Sequence, residues 1–253
     1  MSTKTGVHEG LHIEPIDNAD DIIQAFDCVC QAFGRQVQDG IFKILYPEWE
    51  TPEGRMRGAA RMVNRWQRTT TNSSGNPNTV FLKATLPCAE TPDKRIIAGF
   101  AIWVQASNGE GHGDPVTKKE DLATALNLED LFPGNEPEQR YICQTLSSLH
   151  KYRTEVVKEK ATAVPPAVMI LDMCAVDPAH QRKGIAGALV QWGLDEAQRR
   201  GNLELITEGS AMGRHVYGKM GFKPQSEIEY SVDPEFLARS RPSNVFMRTG
   251  ESS

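Results

Sequence analysis

A continuous apolar run from Val168 to Val176 constrains the fold of this chain more than any other feature of its sequence. Only Asp172 interrupts the run, and Asp177-Pro178 ends it. A mainly apolar strand of this length is typical of a central position in a sheet that is covered on both faces. The sequence therefore predicts a buried central strand here, which favours an α/β fold.

A glycine-containing turn and the start of a helix follow this strand. The turn is Gln181-Arg182-Lys183-Gly184, and the helix carries apolar or small residues at helical spacing from Ala186 onward. The first amides of a helix have no intrahelical acceptor, so they can bind phosphate oxygens. Gly184 lets the backbone approach such a ligand, and Arg182 and Lys183 add positive charge. The pattern favours a pyrophosphate cradle, with an ordinary solvated turn as the alternative.

Other nucleotide signatures are excluded. The chain has no Gly-x-x-x-x-Gly-Lys-Ser/Thr run, which excludes a P-loop. Gly184-x-x-Gly187 lacks the first glycine of a dinucleotide fingerprint, which disfavours a Rossmann site.

A second strand-to-helix unit comes next. The strand is Leu203 to Glu208, and the following helix contains Gly-Arg-His-Val-Tyr-Gly-Lys-Met before Gly221-Phe222. Ser210 is suited to cap this helix and Gly221 to end it.

In this order, the two units resemble motifs A and B of the GCN5-related N-acetyltransferase (GNAT) superfamily. The resemblance covers about residues 168–223. It implies that Gln181-Arg182-x-Gly184-x-Ala186 is the turn that holds the CoA pyrophosphate, with Ala186 where many members have glycine. It also implies that backbone groups of the splayed strand contact the pantetheine arm. The implied acetyl-CoA-binding residues are Cys174, Ala175, Val176, Gln181, Arg182, Lys183, Gly184, Ile185, Ala186, Gly187, Ala188, Ser210 and Tyr217.

The resemblance places Tyr217 where many members carry the tyrosine that protonates the departing CoA thiolate. A phenol is protonated at neutral pH and can donate to sulfur, which suits this role. Packing in the core is the alternative for Tyr217, and helix capping is the alternative for Ser210.

A base or a water chain must take the proton of the amine. Glu208 at the end of its strand is the first candidate, and Asp172 is the second. A salt bridge or plain solvation explains either residue equally well. Cys174 as a covalent nucleophile is a minor alternative, because no histidine is visibly paired with it.

Composition and charge exclude several classes of protein. With 253 residues, 39% hydrophobic and 24% charged, the chain is predicted to form one packed domain over 1–253. A net charge of −5 argues against nucleic acid as a general partner. The N-terminal MSTKTGVHEG has no signal-peptide pattern, so a cytoplasmic protein without a membrane segment is expected. The five cysteines suggest reduced thiols and no metal site.

The remaining segments complete the predicted fold. A hairpin is expected over 79–105, two final strands over Ser226–Val232 and Asn244–Arg248, and a helix from Asp20 that ends at Gly34. A helical insertion is expected at about 107–166, with a helix over 137–160 and with His112 and His150 as solvent-side histidines. The resulting fold class is α/β (α+β): a mixed, mostly antiparallel sheet with a splayed parallel central pair, 168–177 and 203–208, and helices on both faces.

The predicted function is transfer of an acetyl group from acetyl-CoA to an amine by direct attack in a ternary complex. Segments 35–66 and 107–166 are expected to shape the acceptor pocket. The net negative charge permits a cationic amine, and a small molecule is favoured over a histone tail. The alternative is a non-catalytic acyl-CoA-binding regulatory protein, and a plain interaction scaffold is a weaker third reading. Homodimers are common in folds of this kind, but no residue named here establishes one.

Overall fold

The computed structural model describes residues 10–88, 90–91 and 93–250. Residues 1–9, on which the expectation about a signal peptide rests, lie outside this range, as do Ala89 and Pro92 in the predicted hairpin loop. In the described chain, no helix is both long enough and apolar enough to cross a bilayer.

One mixed sheet of seven strands organises the molecule, in the order β1-β2-β3-β4-β5-β7-β6. Its strands are β1 (His12–Pro15), β2 (Thr79–Pro87), β3 (Arg95–Ala106), β4 (Val168–Val176), β5 (Glu204–Gly209), β6 (Lys223–Glu227) and β7 (Val245–Arg248). Only the central pair, β4 and β5, is parallel, and every other neighbouring pair is antiparallel. The predicted fold class, a mostly antiparallel sheet with a parallel central pair, is confirmed.

Helices cover both faces of this sheet. They are α1 (Ala19–Val29), α2 (Gly40–Leu45), α3 (Pro52–Gln67), α4 (Leu122–Ala125), α5 (Leu128–Leu131), α6 (Glu136–Leu149), α7 (Lys151–Glu159), α8 (Ile185–Arg199) and α9 (Gly213–Lys219). A π-helix, Cys30–Val37, continues α1.

Neighbouring residues of β3 show which helices lie on which face. Phe100 and Ile102 pack in the core beneath α1 and α3. Trp103 faces the other way and donates from Nε1 to the carbonyl of Leu189 in α8 at 3.3 Å. A Cβ atom added at Gly193 would lie 2.1 Å from the Trp103 ring, so α8 sits close to the sheet only because this residue is glycine. Thus α1 and α3 cover one face, and α8 covers the other.

Asp172 forms a β-bulge in the central strand. Ile102 pairs with Met173 and Trp103 pairs with Leu171, so Asp172 has no partner in β3. The parallel pairing with β5 ends at the same place, because Leu171 and Thr207 are the last partners. A bulge bends its strand and increases the local twist. Beyond Leu171, β4 therefore has a partner strand on its β3 side alone.

Several local predictions need correction. Gly34 does not end the first helix; it lies within the π-helix, where a Cβ atom would be 2.7 Å from the Trp49 ring. The strand expected over Ser226–Val232 lies earlier, at Lys223–Glu227, because it follows the pairing with β7. The helix expected over 137–160 is two helices, which meet at His150. The break at His150 was not predicted because α6 and α7 continue the same apolar periodicity.

Candidate functional site

A cavity of about 1250 Å³ reaches the point where β4 and β5 separate. Residues of α3 and α7 form part of its wall on one face of the sheet. Tyr217, which lies on α9 and packs with the α8 side of the core, also reaches the cavity. The gap between the two strands therefore joins the two sides of the sheet.

Tyr217 is the predicted acid, and it lies at this gap. Its side chain is buried and interacts with the thiol of Cys174 on β4. Burial, and then the neighbouring Cys174, raises the pKa of Tyr217 well above its ordinary value, so the phenol stays protonated. A Cβ atom at Gly213 would lie 2.6 Å from the Tyr217 ring, so glycine there makes room for it. The ring also packs on Phe222, at 6.0 Å between centroids, so the core-packing alternative is realised as well.

Cys174 is a poor nucleophile in this setting. Burial raises the pKa of its thiol to about 12, so the thiolate is scarce at neutral pH. Cys174, Ala175 and Val176 pair with β3 along one edge and lie beyond the last β5 partner.

Arg153 of α7 fills the space between the two candidate bases. Its Nη1 donates to Asp172 Oδ1 at 2.8 Å, and its Nε donates to Glu208 Oε1 at 2.9 Å. Its Nη2 contacts the other oxygen of Glu208. All three side chains are largely buried, with 9% of the Arg153 and 4% of the Glu208 side chain exposed. The salt-bridge alternative for Glu208 and Asp172 is therefore observed.

Two more groups complete this charged cluster. Arg65 on α3 donates from Nη2 to Asp172 Oδ2 at 2.8 Å. Burial alone would raise the pKa of Asp172, but Arg65 and Arg153 hold it well below its usual range. Burial, and then the positive charge of Arg153, lowers the pKa of His150 to about 3, so its imidazole is neutral at pH 7. His150 is half-buried in the cavity wall, so the expectation of a solvent-side histidine is wrong.

The predicted phosphate cradle lies at the start of α8. Arg182 and Gly184 both have left-handed backbone angles, with φ of 65° and 80°. No side chain caps the helix that begins at Ile185, so its first amides, which include those of Ala186 and Gly187, have no side-chain acceptor there. Ala188 donates its amide to the carbonyl of Gly184 at 3.0 Å and closes the first turn. This region thus has the features of an anion site: helix amides without a side-chain acceptor, a left-handed turn and two basic side chains.

Neighbouring side chains hold this turn in place. Gln181 donates to the carbonyl of Val176 at 3.2 Å and exchanges hydrogen bonds with Gln36 of the π-helix. Ile185 is buried, and a Cβ atom at Gly99 would lie 2.6 Å from it. Lys183 Nζ lies 3.2 Å from Nδ1 of His180.

Ser210 precedes the helix that carries Tyr217. Its hydroxyl accepts from the amide of Gly213 at 3.1 Å, which is the capping role expected from the sequence. It also lies on the cavity wall.

Arg153 and Arg65 are site residues that were not predicted from the sequence. Neither belongs to a local motif, because their partners are distant in the chain: Arg153 is 55 residues from Glu208, and Arg65 is 107 residues from Asp172. The only signal was the expectation that segments 35–66 and 107–166 shape the pocket. In the part of the chain that the structure describes, no group of three or more His, Cys, Asp or Glu side chains is arranged to hold a metal ion.

Comparison with known proteins supports the motif assignment. Residues 149–222 match the model of the Acetyltransferase (GNAT) family, which confirms the resemblance over that segment. No curated protein matches the sequence.

Many solved structures share the fold. Arylalkylamine N-acetyltransferase 2 from Aedes aegypti is 16% identical, with 95% of this chain and 98% of that chain covered and a TM-score of 0.56. Polyamine N-acetyltransferase from Drosophila melanogaster is 10% identical, with 94% and 97% covered and a TM-score of 0.56. Histone acetyltransferase HPA2 and related acetyltransferase from Corynebacterium glutamicum is 14% identical, with 96% and 98% covered and a TM-score of 0.51. At these identities the likeness shows a shared fold over 94–96% of this chain and nothing finer.

Proposed function

We propose that this protein transfers an acetyl group from acetyl-CoA to the amino group of a small molecule. The observation that carries the proposal is that a large cavity and the protonated Tyr217 meet at the gap between β4 and β5, while the turn after β4 leads to an uncapped helix start on the other face of the sheet. This arrangement lets an amine approach from one face while the thioester is held on the other.

The chain's own residues fit acetyl-CoA. The amides at the start of α8 and the side chains of Arg182 and Lys183 would bind the diphosphate. Backbone groups of Cys174 to Val176, beyond the last β5 partner, would bind the pantetheine arm. Acetyl-CoA supplies the activated acyl group, and these contacts orient it toward the gap.

Catalysis then rests on positioning and proton transfer. The cavity holds the amine near the thioester carbonyl, which lowers the entropic cost of attack. Tyr217 donates its phenolic proton to the departing sulfur, and backbone amides beside the gap stabilise the developing oxyanion.

The proton of the amine needs an acceptor, and Glu208 remains our first candidate, with Asp172 second. Both carboxylates accept hydrogen bonds from Arg153. For either to act as a base, its ion pair must open or a water molecule must relay the proton. His150 is neutral and lies on the same wall, so it can accept a hydrogen bond from such a water.

The pairing of both carboxylates also favours the second candidate function, a non-catalytic acyl-CoA-binding regulatory protein. Such a protein keeps the cradle at α8 but has no free base. The two functions differ in what Tyr217 does, since only a transferase needs its proton.

Binding and turnover test the proposal in sequence. We expect acetyl-CoA at one hundred times its dissociation constant to stabilise the folded protein by about 2.7 kcal/mol, measured as a rise in melting temperature. NAD is the control and should cause no shift. Absence of a shift with millimolar acetyl-CoA would exclude both candidate functions and leave the interaction scaffold.

Tyr217→Phe separates the two candidate functions. In a transferase, loss of the hydroxyl should lower kcat about 100-fold with little change in acetyl-CoA binding, because general acid catalysis contributes roughly this factor. Tyr141→Phe is the matched control, because Tyr141 is buried but does not line the cavity. Unchanged CoA release in Tyr217→Phe would remove Tyr217 from the mechanism, and saturable acetyl-CoA binding without turnover on any amine would support the regulatory protein.

A further inference from the structure

The α3 wall of the cavity is a stripe of arginines. Arg57, Arg61 and Arg65 follow one another at intervals of four residues, and Arg68 comes three residues later, at the end of the helix. Residues three and four apart share one face of a helix, and all four arginines line the cavity. We define these four residues as the arginine stripe. No acidic residue of α3 lines the cavity with them.

The acids at the gap are already neutralised. Asp172 and Glu208 together carry two negative charges, and Arg65 and Arg153 supply two positive charges to them. A buried ion-paired carboxylate offers little attraction to a further cation, because its charge is compensated. The cluster next to the chemistry therefore does not provide a free anionic site for a cationic acceptor.

Two arginines of the stripe, Arg61 and Arg68, form no ion pair with a carboxylate in the part of the chain that the structure describes. Arg61 contacts the carbonyl of Leu45 and lies over the Tyr46 ring at 5.4 Å. Burial lowers the pKa of Arg61, as expected for a cation that lacks a counter-ion. Arg68 is exposed and forms an ion pair with no carboxylate of the described residues. Arg57, by contrast, pairs with Glu48 at the outer edge, where both side chains are more than half exposed.

Three other acids line the cavity, and each already accepts a hydrogen bond from its own neighbours. Asp39 accepts from the amide of Phe42 at 2.8 Å and caps α2. Asp114 accepts from Asn78 at 3.0 Å, and Asp130 contacts the side-chain amide of Asn127. None of the three forms an ion pair with Arg61 or Arg68.

From this distribution we infer that the acceptor is an amine that also carries an anionic group, a carboxylate or a phosphate, which Arg61 and Arg68 bind. The inference rests on the proposed acetyl transfer and names its substrate class. Guanidinium groups bind both anions through paired N–H donors. Arg61 and Arg68 lie on either side of Arg65, which touches the gap. At a rise of 1.5 Å per residue, these two arginines are about 6 Å and about 4.5 Å from Arg65 along α3, so an anion that they bind would lie within about 6 Å of the reacting amine along the helix axis. An amino acid or a phosphorylated amine has this size.

Pairs of amines that differ by one carboxylate test the inference. Tyrosine with tyramine, lysine with cadaverine, histidine with histamine, and phenylalanine with phenethylamine each supply such a pair. The value of kcat/KM for CoA release should favour the carboxylated member by about tenfold or more in at least one pair, because a hydrogen-bonded charge pair is worth roughly this factor. Preference for the decarboxylated member in every pair that reacts would overturn the inference while leaving acetyl transfer intact.

Variants identify the residues responsible. Arg68→Gln and Arg61→Gln should each lower the preference for the carboxylated amine about five- to tenfold. Arg61→Gln also removes the contact with the carbonyl of Leu45, so part of this variant can fail to fold. The ratio of kcat/KM for two substrates, measured in one variant, does not depend on how much of the protein is folded. Arg55→Gln is the matched control, since Arg55 lies on α3 but does not line the cavity. If the preference for the carboxylated amine in all three variants equals that of the wild type, the stripe does not bind the anion.

The phosphates of CoA are a second source of negative charge, and the same assay separates them from the acceptor. If the stripe binds the cosubstrate, Arg68→Gln should raise the KM for acetyl-CoA and leave the amine preference unchanged, which contradicts the inference. If no amine reacts at all, melting curves with the same four pairs decide. A larger shift with the carboxylated member, lost in Arg68→Gln, supports anion binding by the stripe and refutes only the proposed transfer. The lack of any difference refutes the inference as well.

Discussion

Arg153 forms ion pairs with two largely buried carboxylates, Asp172 on β4 and Glu208 on β5. Its planar guanidinium has donors on both sides, so one side chain can satisfy Asp172 and Glu208 together. A lysine could not reproduce the paired contact with Glu208, because it is a point charge. The positive charge also acts on His150, which remains neutral in a partly buried wall.

His150 should make stability depend on pH. Its pKa is lowered to about 3 in the folded protein, below the ordinary value of 6.5, so the unfolded chain binds the proton more readily. The contribution of the neutral His150 to the free energy of unfolding is therefore complete above pH 6.5, and it decreases as the pH falls toward 3. Between pH 7 and pH 5 this should cost roughly 1–2 kcal/mol of unfolding free energy, measured by urea denaturation at each pH.

His150→Gln should remove that part of the pH dependence, while His215→Gln, at an exposed site on α9, should retain it. An identical loss of stability between pH 7 and pH 5 in wild type and His150→Gln would show that this imidazole is not held neutral.

At the scale of elements, the turn before α8 depends on backbone conformation. Gly184 has φ of 80°, and a residue with a Cβ atom pays about 1–2 kcal/mol there. We expect Gly184→Ala to change the backbone conformation of the turn, so that the first amides of α8 no longer converge on the phosphates. The KM for acetyl-CoA should then rise at least several-fold. Steady-state kinetics at saturating amine measure this effect.

Gly134 provides a matched control for the strain itself. It has φ of 63°, and a Cβ atom there would meet nothing within 4 Å. Gly134→Ala should therefore lose a similar amount of stability and keep the wild-type KM for acetyl-CoA. If both variants changed KM equally, the effect would be one of stability and not of the cradle.

At the scale of the whole molecule, Arg153 connects the 107–166 insertion to the sheet. It lies on α7, and its buried partners lie on β4 and β5. Arg153→Gln would remove the cation paired with the buried Glu208 and would leave Asp172 with Arg65 alone, and breaking a buried ion pair typically costs about 3–5 kcal/mol. The loss should appear in one cooperative unfolding transition, because the insertion packs on the same core as the sheet. Separate transitions for insertion and sheet would contradict the prediction of a single domain.

A control variant separates these buried ion pairs from ordinary surface pairs. Arg140→Gln, which removes exposed pairs with Asp233 and Glu235, is the control and should change stability far less. A loss of stability equal in Arg153→Gln and Arg140→Gln would contradict a special role for the buried ion pairs of Arg153.

The sequence by itself determined the central architecture of this protein. The apolar run of β4, the turn at Gly184 and the helix with Tyr217 are local patterns, and local patterns follow from periodicity and backbone conformation. They predicted the strands, the glycine-containing turn and the helices, whereas the splayed parallel pair and the place of Tyr217 beside it were implied by the resemblance to the GNAT superfamily.

Only the tertiary structure decided the charge of the site. The sequence left open whether Glu208 and Asp172 are bases or members of salt bridges, and it did not reveal their partners, Arg153 and Arg65, which are 55 and 107 residues away from Glu208 and Asp172 in the chain. Whether the arginine stripe faces the cavity likewise depends on how α3 packs against the sheet. Coulomb energy depends on distance in space and on burial, and neither quantity can be read from the order of residues along the chain.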